Sequence, residues 1–284
     1  MMKWLWIEMR PKHWTKNALV FAAWFFSLPH VSTGMLLKSV LAFCCFSFLS
    51  SVVYIMNDIA DVEVDRNHPV KRNRPIAAGK LSLKAAVIFG IVLWIVSFAS
   101  AIFINFQFAG ILMLYFMLNV VYSFYWKHVP LLDVLLIASG YVFRAVGGGI
   151  ASDVILTPWF LLCTMLVALF LAISKRRSEV NDQINRKGKT RKVLEYYNKE
   201  LLDQLNTIVA SSVVMTYSLF SFQKGLYFMW TIPVVIIGIF RYLYLIHIEN
   251  KGDQPEKVLW EDQWIRTIAM IYGGTVVILL VFFQ

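Results

Sequence analysis

Charge is scarce in this 284-residue chain: only 15% of its residues are Asp, Glu, Lys or Arg, against about a quarter in a soluble domain. Acid is scarcer than base, 17 residues against 27, which leaves a net charge of +10. The apolar residues, 59% of the whole, gather into long runs from end to end. The shortage of charge excludes a soluble globular domain. It predicts an all-α, polytopic membrane helix bundle. No nucleic acid is expected, because no soluble domain is large enough to present a basic surface. Phosphorylated small molecules and the anionic head groups of the lipid bilayer suit the positive balance better. Cysteine is nearly absent. Cys44, Cys45 and Cys163 all lie in apolar runs and read as small core residues, not as disulfides or metal thiolates. Residues 1–14 are not expected to be a secretory signal, since they hold no clean apolar stretch and no small-residue cleavage site. Trp4, Trp6 and Trp14 with Lys3, Arg10 and Lys12 read either as an interfacial segment or as an ordinary basic flank.

Nine apolar runs are long enough to span a bilayer: 17–34, 36–57, 84–104, 107–125, 131–151, 157–175, 205–223, 227–247 and 264–283. Lys and Arg set their orientation. Assigning alternate connections to opposite sides puts 24 basic residues on one side and only Lys38 and Lys224 on the other, with Arg144 inside the fifth run. That bias predicts a cytoplasmic N-terminus and an outside C-terminus. The chain is expected to be one membrane domain over 1–284. Its cytoplasmic loops near 58–83 and 176–204 would cap a site.

The second run ends in an acidic ladder. Asn57, Asp61 and Asp65 are spaced four apart, which on a helix puts three oxygen ligands on one face. Hard divalent cations take oxygen ligands and usually keep phosphate oxygens as well. A cationic stretch follows at once, with Arg66, Lys71, Arg72 and Arg74 between Pro69 and Pro75. Arg and Lys suit phosphate oxygens. Carboxylates, a metal and bases beside a bilayer describe a diphosphate site. Taken alone, the ladder is a solvated polar helix end and the basic stretch a cytoplasmic anchor. Together they favour metal and phosphate.

Four further groups carry two readings each. Tyr122 to Asp133, with Lys127 between spans, is either an interfacial belt with one snorkelling Lys or a polar hairpin at the site. Arg144, on a line with Gly147, Gly148 and Gly149, is either functional or paired with an acid such as Asp133. The glycines would admit another helix or a lipid chain. Lys175, Arg176 and Glu179 form either an anchor with an i, i+4 pair or a phosphate-binding edge. Arg241 and Tyr244 share a helix face as structural anchors or as a site edge.

At these residues the chain resembles the UbiA superfamily of membrane transferases. The ladder N-D-x-x-D-x-x-x-D over 57–65 is similar to that superfamily's first Asp-rich motif, and the likeness extends to R-P-x-x-x-G over 74–79. It is nearer still to the decaprenyl-phosphate phosphoribosyltransferase branch. Arg10-Pro11 through Lys16-Asn17, His68-Pro69, Tyr122 to Lys127, Lys175-Arg176-x-x-Glu179 and Phe240 to His247 carry that likeness. Most prenyl-diphosphate members have a second D-x-x-x-D where this chain has Lys175 to Glu179, and base there suits a substrate with an additional phosphate.

The resemblance implies a UbiA-like fold in a bacterial plasma membrane. The implied reaction is Mg²⁺-dependent transfer of 5-phosphoribosyl from phosphoribosyl diphosphate to a polyprenyl phosphate. Asn57, Asp61 and Asp65 would hold Mg²⁺, with Asp58 either behind them or a ligand to a second metal. Lys16, Lys71 and Arg74 would neutralise the leaving group, and Lys127, Lys175 and Arg176 would hold the 5-phosphate or the lipid phosphate. Asp61, Asp65 and Lys127 form the catalytic set. Asn17, Arg66, Tyr122, Arg144, Glu179, Arg241 and Tyr244 would complete the substrate site. The alternatives are a prenyltransferase acting on an aromatic acceptor, which would prefer acid at 175–179, and a carrier or flippase for a polyanionic lipid, which would place ionisable groups deep in broken spans.

Overall fold

The computed structural model describes residues 1–69, 71–185, 192–249, 252, 258 and 261–283. Among them every regular element is helical. In chain order, α1 is Met2–Glu8 and a 3₁₀ helix covers Pro11–Phe21. Then come α2 (Ala22–Phe25), α3 (Thr33–Ala60), α4 (Val62–Arg66), α5 (Leu83–Ile104), α6 (Phe106–Phe124), α7 (Leu132–Ala151) and α8 (Pro158–Asn185). The last three are α9 (Lys199–Lys224), α10 (Ile232–His247) and α11 (Gln263–Phe282).

Side-chain caps fix several of the starts. Ser32, Ser82, Asn198 and Asp262 each accept a hydrogen bond from the backbone N–H three residues on, at 3.1, 3.3, 2.8 and 2.8 Å. Each satisfies a donor that the first helical turn leaves open.

Eight described helices are long and apolar enough to cross a membrane, against nine expected runs. Most expected bounds hold within a few residues, but the run at 157–175 continues as α8 to Asn185. The run at 17–34 is the exception. It begins six residues early, and most of its helical part is the 3₁₀ coil Pro11–Phe21 followed by the short α2. A 3₁₀ helix rises about 2.0 Å per residue, so residues 11–25 reach about 28 Å, near the ~30 Å hydrocarbon thickness. The tighter coil covers with few residues a distance that an α-helix would need more chain to cover.

The chain forms two compact units. One comprises Met1–Ser27, Val31–Phe124 and Phe143–Ile155, the other Leu28–His30, Tyr125–Val142 and Leu156–Gln284. In the first, Val20, Cys45, Phe46, Leu49, Phe108 and Leu112 are wholly or almost wholly buried in one cluster. In the second, Val193, Leu202, Leu245 and Ile246 are wholly or almost wholly buried in another cluster. Outward faces are apolar as well. Ile88, Ile91, Val92, Ile95 and Val96 form a helical stripe on α5 and are each 42–54% exposed. A contiguous apolar surface of that kind belongs against lipid.

The glycine line on α7 admits protein. A Cβ at Gly148 would stand 2.0 Å from the carbonyl oxygen of Val20, and one at Gly147 would meet the Phe46 ring at 2.7 Å. The close neighbours are therefore the 3₁₀ helix and α3.

Candidate active site

The acidic ladder keeps its stacking across a helix break. α3 stops at Ala60, Asp61 sits at φ −96 and ψ 10, and α4 resumes at Val62. The Asp61 N–H donates to the Asn57 carbonyl at 2.9 Å and the Asp65 N–H to the Asp61 carbonyl at 2.8 Å. The three side chains thus remain one turn apart. Asp65 is 1% and Asp58 3% exposed, while Asn57 and Asp61 are half-buried. Among the described residues no three His, Cys, Asp or Glu side chains cluster as a metal site. The ladder face offers two carboxylates and an amide oxygen.

Cations reach the ladder from two segments. Arg74 Nη1 donates to Asp58 Oδ1 at 2.9 Å and to Asp65 Oδ2 at 2.5 Å. Lys71 Nζ lies 3.8 Å from Asp65 Oδ1. The R-P-x-x-x-G motif explains how Arg74 is held. Pro75, Ile76 and Ala77 are buried, the N–H groups of Lys80 and Leu81 donate to the Pro75 carbonyl, and Gly79 closes the turn at φ 69. That left-handed conformation favours glycine.

The second source is the N-terminal segment. Arg10, at φ 53, bonds Asp58 Oδ2 and stacks 4.9 Å over the Tyr54 ring. Ser51 ties this segment to α3, donating to the Met9 carbonyl at 2.9 Å and accepting from Trp14 Nε1 at 3.2 Å.

Glu8 completes this cluster. It is 1% exposed, and neither carboxyl oxygen meets a donor among the described residues. Its polar neighbour is the Asp58 carboxylate, also an acceptor, so a hydrogen bond between the two needs a proton on Glu8. Burial first, and then that neighbour, push Glu8 up to about 8. Sequence reasoning missed both Glu8 and Arg10 as site residues. The only signal was Arg10 heading the Arg-Pro stretch of the family likeness.

Other predicted residues of this unit lie elsewhere. Arg66 pairs with Glu63 at 2.7 Å, and its side chain is half exposed. Asn17 and Arg144 form a separate buried pair: Arg144 Nε donates to Asn17 Oδ1 at 2.6 Å and Nη2 to the Tyr115 hydroxyl at 2.8 Å. Asn17 in turn donates to Ser47 Oγ at 3.0 Å. The pairing of Arg144 with Asp133 is thereby replaced. Lys16 is half-buried on the 3₁₀ helix, and Tyr122 is half-buried near the end of α6.

In the second unit a charged network surrounds Asp133, which is fully buried. It accepts from Arg176 Nε at 2.7 Å and from the Tyr197 hydroxyl at 2.7 Å. Arg176, 2% exposed, also donates to Glu179 at 2.6 Å. Glu179 therefore pairs with Arg176, three residues away, and the expected pair with Lys175 does not form. Arg176, expected at a phosphate, is held by carboxylates instead. Its neighbour Arg177 binds Asp203, the Ile246 carbonyl at 3.0 Å and His247 Nδ1 at 3.0 Å. Lys127 and Lys175 are half-buried, and neither has a counter-ion among the described residues. Arg241 bonds Asp262 at 2.6 Å and Glu249 at 3.3 Å and lies 5.2 Å over the Tyr244 ring.

Comparison with known proteins follows the same lines. Residues 18–271 match the UbiA prenyltransferase family. The decaprenyl-phosphate phosphoribosyltransferase of Mycobacterium tuberculosis is 33% identical over 281 residues, covering 94% of this chain and 91% of that protein. The enzyme of the same name from Corynebacterium glutamicum is 33% identical over 275 residues, covering 93% and 82%. Among solved structures, a UbiA homolog from Archaeoglobus fulgidus bound to GPP and Mg²⁺ superposes with a TM-score of 0.71 at 20% identity, over 95% of this chain and 97% of that one. A digeranylgeranylglyceryl phosphate synthase gives 0.72 at 21% identity, over 99% and 98%. With its helical fold, its acidic ladder and this match over most of its length, the chain belongs to the UbiA prenyltransferase family of membrane transferases.

Proposed function

We propose that the protein transfers a 5-phosphoribosyl group from phosphoribosyl diphosphate to a polyprenyl phosphate, with Mg²⁺, at the cytoplasmic face of the membrane. The observation that carries this reading is Lys175. It stands half-buried and without a counter-ion among the described residues, at a place where prenyl-diphosphate members of the superfamily have acid. The relatives named as phosphoribosyltransferases, similar over more than nine-tenths of the chain, support it.

The ladder fits a hard cation. Asp65 Oδ1 is buried and accepts no hydrogen bond among the described residues, and Asp61 and Asn57 add oxygen ligands one and two turns before it. All three are the ligand type Mg²⁺ takes. When bound there, the metal would neutralise charge on the departing diphosphate.

The chain's own residues do the rest. Arg74, with Lys71 and Lys16, would take the oxygens of the leaving diphosphate. Lys127 and Lys175 would take the 5-phosphate of the donor or the phosphate of the lipid. The lipid phosphate is anionic at neutral pH, so attack on C1 of the ribose needs no strong general base. Catalysis is then positioning and charge neutralisation as the C1–O bond to diphosphate breaks. Arg176 and Glu179 would fix the stretch of α8 that carries Lys175, through the buried Asp133.

Lys175→Ala tests the reading. Losing one charge-assisted contact costs roughly 1.5–3 kcal/mol, or on the order of tenfold or more in affinity. Binding of phosphoribosyl diphosphate should weaken by that factor, and Lys175→Asp should be worse, because it repels the same phosphate. Wild-type affinity in Lys175→Asp would remove this residue from the site.

A further inference from the structure

The two arginines on the ladder are placed for different tasks. Among the described carboxylates Arg10 bonds Asp58 alone, through Oδ2. Arg74 bridges, with Nη1 on Asp58 Oδ1 at 2.9 Å and on Asp65 Oδ2 at 2.5 Å. Asp58 thus has a cation on each oxygen and stays neutralised if one leaves. Asp65 has a hydrogen bond on one oxygen only. Its Oδ1 is buried and accepts none among the described residues, and Lys71 Nζ lies 3.8 Å from it on a side chain that is 43% exposed.

We infer that Arg74 is a resident cation on Asp65, holding the ladder's deepest carboxylate until a divalent metal and a diphosphate arrive together. This rests on the reading that the ladder takes a metal with a diphosphate. A metal at Asp65 brings two positive charges beside a guanidinium already bonded to the same carboxylate. In a buried setting that repulsion is weakly screened, so the metal alone binds poorly. A diphosphate removes the conflict, because it offers Arg74 new anionic acceptors in the fork geometry that guanidinium favours. Arg74 then turns from Asp65 to the phosphate and keeps its bond to Asp58 as a pivot. Whatever factor the diphosphate adds to metal affinity, the metal adds to diphosphate affinity.

The test uses the full chain in detergent, Mn²⁺ as the metal and inorganic pyrophosphate as the anion, with protein-bound Mn²⁺ counted by electron paramagnetic resonance. In the wild type, pyrophosphate should raise bound Mn²⁺ steeply. In Arg74→Gln, Mn²⁺ alone should bind roughly tenfold tighter than in the wild type, the factor of one charge-assisted contact, and the gain from pyrophosphate should shrink. Arg74→Lys, which keeps the charge but lacks the guanidinium fork, should bind Mn²⁺ alone about as weakly as the wild type and gain less from pyrophosphate. Weaker or unchanged Mn²⁺ binding in Arg74→Gln overturns the inference and makes Arg74 a support that holds Asp65 for the metal. Independent binding of Mn²⁺ and pyrophosphate by the wild type overturns it without any variant. If instead the wild type and Asp65→Asn hold the same Mn²⁺ with and without pyrophosphate, the metal reading of the ladder falls too, and this inference with it.

Discussion

Asp65 is buried at 1% exposure with one oxygen on Arg74 and the other accepting no hydrogen bond among the described residues. Replacing that carboxylate by an amide keeps its size and removes its charge. Asp65→Asn, like Asp61→Asn, should abolish transfer while the protein still elutes as a folded species in detergent. Near-normal turnover at ordinary Mg²⁺ concentration would contradict the metal role. Glu8 gives a second test at this scale. Burial, and then the Asp58 carboxylate, push its carboxyl from 4.5 up to about 8, so the folded state holds this proton more tightly than the unfolded chain. The stability linked to it is complete below about pH 4.5 and lost as pH rises toward 8. Glu8→Gln cannot ionise. Between pH 5 and 8, its Tm in detergent should therefore fall less than that of the wild type; parallel curves would show Glu8 to be ionised throughout.

The ladder was legible from spacing alone, because four-residue steps on a helix need no tertiary information. Arg74 was legible from its motif. Glu8 and Arg10 were not, since they reach Asp58 across about fifty residues through packing of the N-terminal segment on α3. The partners of Asp133 were hidden for the same reason: Arg176 and Tyr197 lie 43 and 64 positions away.

Among the elements, hydropathy located the spanning helices well because length and apolarity are local properties. It misread the first run, where a 3₁₀ coil covers Pro11–Phe21. Hydrophobicity does not report rise per residue. It also left open what approaches the glycines of α7. The structure puts the Val20 carbonyl 2.0 Å from any Cβ at Gly148, and a backbone atom cannot swing away as a flexible side chain can. Gly148→Ala should therefore destabilise the protein by about 1–3 kcal/mol or more, the usual cost of overpacking. Gly110→Ala, with open space around it, should cost far less. A thermal shift in detergent, comparing the two variants, checks this. Equal Tm values would mean that the 3₁₀ helix does not rest on α7.

For the whole molecule, the split of Lys and Arg, 24 against two, predicts the orientation. Single-cysteine labelling from outside intact cells should reach a position near Lys224 and miss the N-terminus and the loop near 71. The reverse pattern would refute a cytosolic donor. Arg186, Lys187, Lys189, Arg191, Lys251 and Lys257, which contribute to that count, lie outside the described residues.

The fold class and the eight long apolar helices fit a family of membrane transferases, but the fold does not choose the donor. That choice rests on base at Lys175 and on the family relatives. Its most direct measurement incubates the purified protein in detergent with Mg²⁺, a polyprenyl phosphate and phosphoribosyl diphosphate, and weighs the lipid product by mass spectrometry. A parallel reaction offers a polyprenyl diphosphate and an aromatic acid. The expected product is a polyprenyl phosphate carrying one added 5-phosphoribosyl group in the first reaction, with no prenylated acid in the second. Prenylated acid, with the lipid phosphate unchanged, would contradict it.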